Sequence, residues 1–75
     1  MVDKRSCKLK LAARITEIRK AKGLTVHGLA NEAGMEYAHL QRIEKGKINI
    51  AFTTLVVISK GLDIEPDVLL KGLKF

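Results

Sequence analysis

The sequence predicts an all-α protein, one domain of five short helices around a thin apolar core. Apolar residues recur every three or four positions along most of the 75 residues, and no segment shows the two-residue alternation of a strand. Glycines and capping residues divide these patterns into segments joined by tight turns. A chain of this length forms one domain, and 47% of its residues are hydrophobic, which is enough for a compact core.

Helices 1 and 2 are predicted from apolar stripes and from the residues that bound them. Helix 1 covers residues 8–22 and ends at Gly23, because glycine readily takes the left-handed conformation that closes a helix. Helix 2 follows Thr25, whose hydroxyl can accept from the free amides of the first turn. The stripe positions are Leu11, Ile15, Ile18 and Lys22 in helix 1 and Leu29, Ala30 and Ala33 in helix 2.

Three further helices complete the bundle. Helix 3 is predicted over residues 36–45, a loop over residues 46–51 and helix 4 over residues 52–61. A short helix 5 begins near Pro66, because proline suits a first helical turn. The apolar residues assigned to the interior are Met35, Leu40, Ile43, Phe52, Leu55, Ile58, Leu62, Val68, Leu69 and Leu70.

Positive charge is concentrated at the beginning of the chain. The formal net charge is +6, and residues 1–22 contain eight basic and two acidic residues, so this segment carries the whole excess. Residues 1–7 are predicted to form a flexible basic tail. A basic end on a small domain suits a phosphate-rich partner such as nucleic acid, although a solvated helix surface has the same composition.

The composition argues against several other classes of protein. His27 and His39 are isolated from any nucleophile, so we expect no catalytic site, no metal site and no cofactor. Cys7 is the one cysteine, which excludes an intrachain disulfide and gives no sign of secretion. No apolar run is long enough for a membrane span or a signal peptide, and a cytoplasmic protein is therefore expected.

Residues 25–44 have the spacing of a helix-turn-helix. Two short helices joined through Gly34 can cross at a steep angle, because glycine permits a sharp change of backbone direction. The second helix can then enter the major groove of DNA while the first lies across the backbone. Ala30 and Gly34 are expected to be small because the two helices touch there.

Residues 23–46 read GLTVHGLANEAGMEYAHLQRIEKG, and on this segment the chain resembles the Cro/C1-type (XRE-like) helix-turn-helix regulators. The resemblance covers residues 11–70. It implies a five-helix lambda-repressor-like DNA-binding domain that acts as a homodimer on palindromic operators, as a repressor or a related regulator similar to restriction–modification controllers. The residues that carry the resemblance are Arg19, Gly23, Leu24, Thr25, Leu29, Ala30, Ala33, Gly34, Ile43, Glu44, Gly46, Asn49, Leu55, Leu62 and Leu69.

By this resemblance helix 3 reads the bases, and residues on either side of it bind the DNA backbone. A guanidinium can bond both acceptors of a guanine, which makes Arg42 the strongest single prediction. Glu36 can accept from cytosine or cap its own helix, and capping is favoured. The predicted base contacts are Glu36, Tyr37, Ala38, Gln41 and Arg42, and the predicted backbone contacts are Thr25, Val26, His27, His39, Lys45, Lys47 and Asn49.

Val26, the pair Arg19 and Glu44, and Arg14 each need a separate interpretation. Val26 stands where many relatives have glutamine, and valine cannot donate to a phosphate, so backbone amides or His27 would have to replace that contact. Arg19 and Glu44 are implied to form an ion pair that fixes the tilt of helix 3. Arg14, together with the basic tail, can add long-range attraction to DNA.

A homodimer is predicted because a single recognition helix reads few base pairs, whereas two domains on a two-fold axis double the site. Apolar residues that one domain need not bury fall near helices 4 and 5, and the alternative is that they complete the thin core. The predicted interface residues are Ile48, Ile50, Val56, Val57, Leu73 and Phe75.

The main alternative function is that of an antitoxin or protein-interaction module built on the same bundle. Counterion release separates the two, because affinity for duplex DNA falls steeply with ionic strength. Among DNA-binding proteins the sequence favours a stand-alone regulator at the nucleoid that blocks or contacts RNA polymerase. No small-molecule effector pocket is expected in so small a domain.

Overall fold

The computed structural model describes residues 3–75 and confirms the all-α prediction. These residues form five α-helices, and no strand occurs among them. The ends of helices 2, 3 and 4 lie within one residue of their predicted positions. The helices are α1 Lys4–Ala21, α2 Val26–Ala33, α3 Tyr37–Glu44, α4 Phe52–Gly61 and α5 Pro66–Leu70.

The core lies between helices that pack in pairs. Helix α2 packs against α3 and α4, while α1 packs against α3 and α5. Leu40 and Ile43 are fully buried on the inner side of α3, and burying each such side chain stabilises the fold by roughly 1.5–3 kcal/mol. Helix α3 is thereby fixed from two sides with its opposite face open. The buried apolar cluster consists of Ile15, Leu29, Ala30, Leu40, Ile43, Ile58, Leu62 and Leu69.

Helix α1 begins earlier than the sequence predicts. The flexible tail predicted over residues 1–7 is wrong for residues 4–7, which are α-helical, and the first two residues lie outside the described part of the chain. Asp3 is the N-cap, and its Oδ1 accepts from the Arg5 amide at 3.1 Å. The start was missed because Lys4 and Arg5 place positive charge at the positive end of the helix dipole, at a cost of about 0.3–1 kcal/mol each.

Two basic residues of α1 donate hydrogen bonds to backbone carbonyls of α5 and the residues after it. The Arg14 guanidinium donates from Nη2 to the Val68 carbonyl at 3.0 Å and from Nε to the Leu69 carbonyl at 3.3 Å. These carbonyls belong to the last turn of α5, where a helix leaves carbonyls short of partners; the Val68 carbonyl also accepts from the Lys71 amide at 3.3 Å. Lys10 donates to the Lys74 carbonyl and lies over the Phe75 ring. Arg14 therefore anchors α5, a structural role that the sequence did not indicate.

Three apolar residues assigned to the interior are exposed instead. Phe52 is 74% exposed, because it is the first residue of α4 and extends past the helices that cover the rest of that stripe. Val68 and Leu70 lie on the outer side of the single turn of α5, which buries only Leu69. These side chains leave apolar surface beside α4 and α5.

The reason for a small residue at position 34 is conformational rather than steric. Gly34 has φ +67°, and a Cβ added there would meet nothing within 4 Å. The prediction that α2 and α3 touch at Gly34 is therefore wrong. The close approach lies between α2 and α4, where a Cβ on Gly61 would lie 2.8 Å from the Cβ of Ala33.

Candidate nucleic-acid interface

Helices α2 and α3 are bounded by local contacts that the sequence encodes. Thr25 is the N-cap of α2, and its hydroxyl oxygen accepts from the Gly28 amide at 2.9 Å. A Cβ on Gly28 would lie 3.2 Å from that same oxygen, so glycine leaves room for the cap. After the left-handed Gly34, the Met35 amide donates to the Ala30 carbonyl at 2.9 Å. This short turn brings α3 across α2.

The outer face of α3 carries the side chains predicted to contact bases. Ala38 and Arg42 are exposed, as is His39, which was predicted to contact the DNA backbone, while Tyr37 and Gln41 are half-buried. All five lie on a helix whose inner face is held by Leu40 and Ile43, so the outer side chains have a fixed backbone beneath them. The arrangement is that of a rigid helix offering polar groups to a groove.

Glu36 occupies the N-cap position of α3, but its side chain makes no capping hydrogen bond. The favoured capping role is therefore not seen. Its backbone is extended, with φ −71° and ψ 138°, and its carboxylate is exposed beside the first turn of α3. The Glu36 carboxylate therefore remains free of a capping bond to its own helix.

The residues predicted to bind the DNA backbone divide into two groups. At the start of α2, Val26 is half-buried against the apolar cluster, so its side chain contributes to packing. After α3, the side chains of Lys45, Lys47 and Asn49 are exposed on the loop that follows. Two lysines beside the recognition helix give this flank positive charge.

His27, Tyr37 and Gln41 form an array that sequence reasoning missed. The His27 imidazole stacks on the Tyr37 ring with centroids 3.7 Å apart and an interplanar angle of 6°. Gln41 donates from Nε2 to the Tyr37 hydroxyl at 3.2 Å. The (i, i+4) spacing of Tyr37 and Gln41 was visible in the sequence, but the stack depends on how α2 and α3 cross.

Arg19 and Glu44 form a buried ion pair between α1 and the end of α3. Arg19 donates from Nε to Glu44 Oε2 at 2.8 Å and from Nη2 to Oε1 at 3.0 Å. The Thr16 hydroxyl donates to Oε1 at 2.9 Å, and Arg19 Nη1 donates to the Leu24 carbonyl at 2.8 Å. Each of these polar side chains thus has a hydrogen-bond partner, which a buried ion pair needs to offset the loss of water. Thr16 is a member that the sequence did not indicate.

The predicted dimer residues differ in how much of each side chain is exposed to solvent. Ile48 and Ile50 are half-buried against the core of the same chain, which fits the alternative that they complete it. Val56 and Leu73 are half-buried. Val57 and Phe75 are 36% and 63% exposed.

The described residues contain neither a cluster of metal ligands nor a membrane-spanning helix. No group of three or more His, Cys, Asp or Glu side chains is arranged to hold a metal ion between residues 3 and 75. Within the same range, no helix combines the length and apolar character needed to cross a bilayer.

Comparisons with known proteins agree with this geometry. A family model described as "Helix-turn-helix" matches residues 15–69. The restriction-modification controller protein C.AhdI from Aeromonas hydrophila is 31% identical, with 85% of this chain and 97% of that chain covered at a TM-score of 0.82. The controller C.Esp1396I, solved as a tetramer in complex with its natural 35 base-pair operator, is 28% identical over 85% of this chain and 84% of that chain, with a TM-score of 0.81.

A longer protein has the same fold in part of its length. An HTH_3 family transcriptional regulator from Vibrio cholerae is 26% identical, with 91% of this chain and 38% of that chain covered at a TM-score of 0.86. A search of curated protein sequences finds no match. The helix pair, the exposed face of its second helix and these matches lead to one conclusion: the chain belongs to the helix-turn-helix family of Cro/C1-type (XRE-like) DNA-binding transcriptional regulators.

Proposed function

We propose that this regulator binds palindromic operators as a homodimer, with α3 of each copy in a major groove. The proposal rests on the open outer face of α3, which presents Arg42 and Tyr37. The buried residues Leu40 and Ile43 anchor the helix on its inner side. The major groove is wide enough for one helix, and its base edges distinguish all four base pairs. We propose that Lys45 and Lys47, exposed after α3, neutralise phosphates on one side of that groove.

The proposed biological role is that of a restriction–modification controller. Support comes from the similarity to C.AhdI over nearly the whole length of both chains. C.Esp1396I assembles as a tetramer on its operator, and we propose that copies of this chain likewise combine on DNA. The regulator would act in the cytoplasm at the nucleoid, by blocking or contacting RNA polymerase, and without catalysis or a small-molecule effector.

We propose a dimer interface on the side of α4 and α5. The proposed interface residues are Val56, Val57, Leu73, Phe75 and Phe52. Phe52 is included because it is 74% exposed. Apolar surface of this kind favours contact with a second copy, and a two-fold axis would match two inverted half-sites. Ile48 and Ile50 contribute mainly to their own core.

Arg42→Ala is expected to lower operator affinity by about 1–3 kcal/mol and to relax the preference at one position of each half-site. The guanidinium is exposed on α3, so its loss removes a bidentate base contact while leaving the fold intact. Binding to a set of single-substitution operators checks this expectation. An equal loss on every duplex would refute the base-reading role.

Lys45→Ala is expected to weaken binding to all duplexes alike. It should also reduce the magnitude of the slope of log affinity against log salt by about 1, the contribution of one phosphate contact. Its ammonium group is exposed after α3 and can neutralise a phosphate without reading a base. Lys60→Ala on α4 is a matched control, because it removes an exposed lysine on another helix. A loss confined to one operator sequence would contradict the phosphate role.

The second candidate function is an antitoxin or protein-interaction module. The exposed apolar residues of α4 and α5 fit a different protein as well as a second copy. The discriminating test is duplex binding at low ionic strength, since a module that binds only protein would not show affinity that falls with salt.

A further inference from the structure

We propose that His27 and Gln41 are positioning residues that hold Tyr37 as a hydrogen-bond donor to the operator, an inference that rests on the proposed function. The array joins the second residue of α2 to the first turn of α3. It combines a near-parallel ring stack, with centroids 3.7 Å apart, and one side-chain hydrogen bond of 3.2 Å.

Two contacts hold the Tyr37 ring in place. His27 covers one face, and the ring also packs against the apolar cluster beneath α3. Stacked aromatic pairs contribute beyond the area that they bury, so turning the ring would sacrifice both contacts. A side chain fixed in this way reaches DNA with little conformational entropy left to lose, which favours tight and selective binding.

The hydrogen bond from Gln41 determines what the Tyr37 hydroxyl can still do. A phenol has one proton to donate and can also accept. Because the hydroxyl accepts from Gln41 Nε2, its proton stays free for an acceptor outside the domain. At the start of a recognition helix the acceptors are phosphate oxygens and the base-edge atoms of the major groove. Tyr37 therefore donates to DNA, beyond any apolar contact of its ring.

The stack also changes the role assigned to His27. The sequence suggested that backbone amides or His27 replace the phosphate contact that Val26 cannot make. In the structure its imidazole lies flat on Tyr37, so its main effect on DNA binding passes through the tyrosine.

The stack can be observed without DNA, because Tyr37 is the only tyrosine and the chain has no tryptophan. His27→Ala is expected to weaken the near-UV circular dichroism of the tyrosine, since that signal reports fixed packing. His27→Phe should restore it by supplying another flat ring. His39→Ala is the matched control, because it removes the other histidine from an exposed site and should leave the signal unchanged.

The donor role is tested by affinity for the selected operator. Tyr37→Phe keeps the ring and is expected to lower affinity about tenfold. Gln41→Met and His27→Ala should each cause part of that loss, and Gln41→Met should cause no further loss once Tyr37→Phe is present. His27→Phe should return affinity towards that of the wild type. An equal loss on all duplexes identifies a phosphate acceptor, and a loss at one base pair identifies a base acceptor; both support the donor role.

Two results would overturn the inference alone. One is wild-type affinity in Tyr37→Phe, and the other is a full additional loss from Gln41→Met in that background. A wild-type protein that ignores every duplex at low salt would instead overturn the proposed function, and this inference with it.

Discussion

Glu44→Ala is expected to lower the free energy of unfolding by about 3–5 kcal/mol, because it leaves the Arg19 guanidinium buried without its counter-charge. The two side chains are only 10% and 9% exposed, so water cannot replace the lost carboxylate. The Thr16 hydroxyl loses its acceptor as well. Domains of this kind are stable by only about 5–15 kcal/mol, so the variant would be largely or partly unfolded in mild denaturant. Urea unfolding followed by circular dichroism measures the change.

Glu17→Ala is the matched control for this prediction. Glu17 pairs with Arg14 at 2.7 Å, but its side chain is 68% exposed, so its removal should cost less than about 1 kcal/mol. The double variant Arg19→Met with Glu44→Leu should recover stability relative to Glu44→Ala, because no uncompensated charge remains. Equal effects of Glu44→Ala and Glu17→Ala would show that the buried pair does not stabilise the position of α3.

Gly46→Ala is expected to lower the free energy of unfolding by about 2–3 kcal/mol, from two additive causes. Gly46 has φ +70°, a conformation that is unfavourable for an L residue, and it follows Lys45, the C-cap of α3. An added Cβ would also lie 2.6 Å from Leu9 Cδ2 and 3.4 Å from Leu9 Cα. Leu9 is 47% exposed and the 2.6 Å contact is with the far end of its side chain, so the side chain can turn aside, at a cost of about 0.5–1.5 kcal/mol for a strained rotamer.

Gly23→Ala separates the two causes. Gly23 has φ +73°, but a Cβ there would meet nothing within 4 Å, so only the conformational cost of about 1–2 kcal/mol is expected. The difference between the two variants in chemical denaturation measures the steric part. If Gly46→Ala proves no more destabilising than Gly23→Ala, the close packing of α1 on this loop is not a determinant of the fold.

Local signals explain why much of the fold could be predicted. The Thr25 cap, the left-handed Gly34 and the spacing of Leu40 and Ile43 each depend on residues close together in the chain, and each lies where it was expected. The helix-turn-helix follows from them. The Arg19–Glu44 pair joins distant segments, and the resemblance to a family, rather than spacing, pointed to it.

Features that depend on how helices cross could not be predicted. The stack of His27 on Tyr37 requires the relative placement of two helices and one rotamer of each ring. Phe52 follows the apolar stripe of α4 but lies beyond the helices that cover it, so periodicity alone assigned it wrongly to the core. Likewise the first turn of α1 is helical although Lys4 and Arg5 disfavour a helix start there. The Asp3 cap compensates for these charges.

The central claim is that α3 of two symmetric copies reads the operator. Selection of bound duplexes from a random-sequence pool at low salt, followed by salt titration of the selected sequence, tests it most directly. We expect two inverted half-sites about 10 base pairs apart, or a multiple of that spacing, and an affinity that falls steeply as salt rises. A pool without enrichment, or binding that does not change with salt, would contradict it.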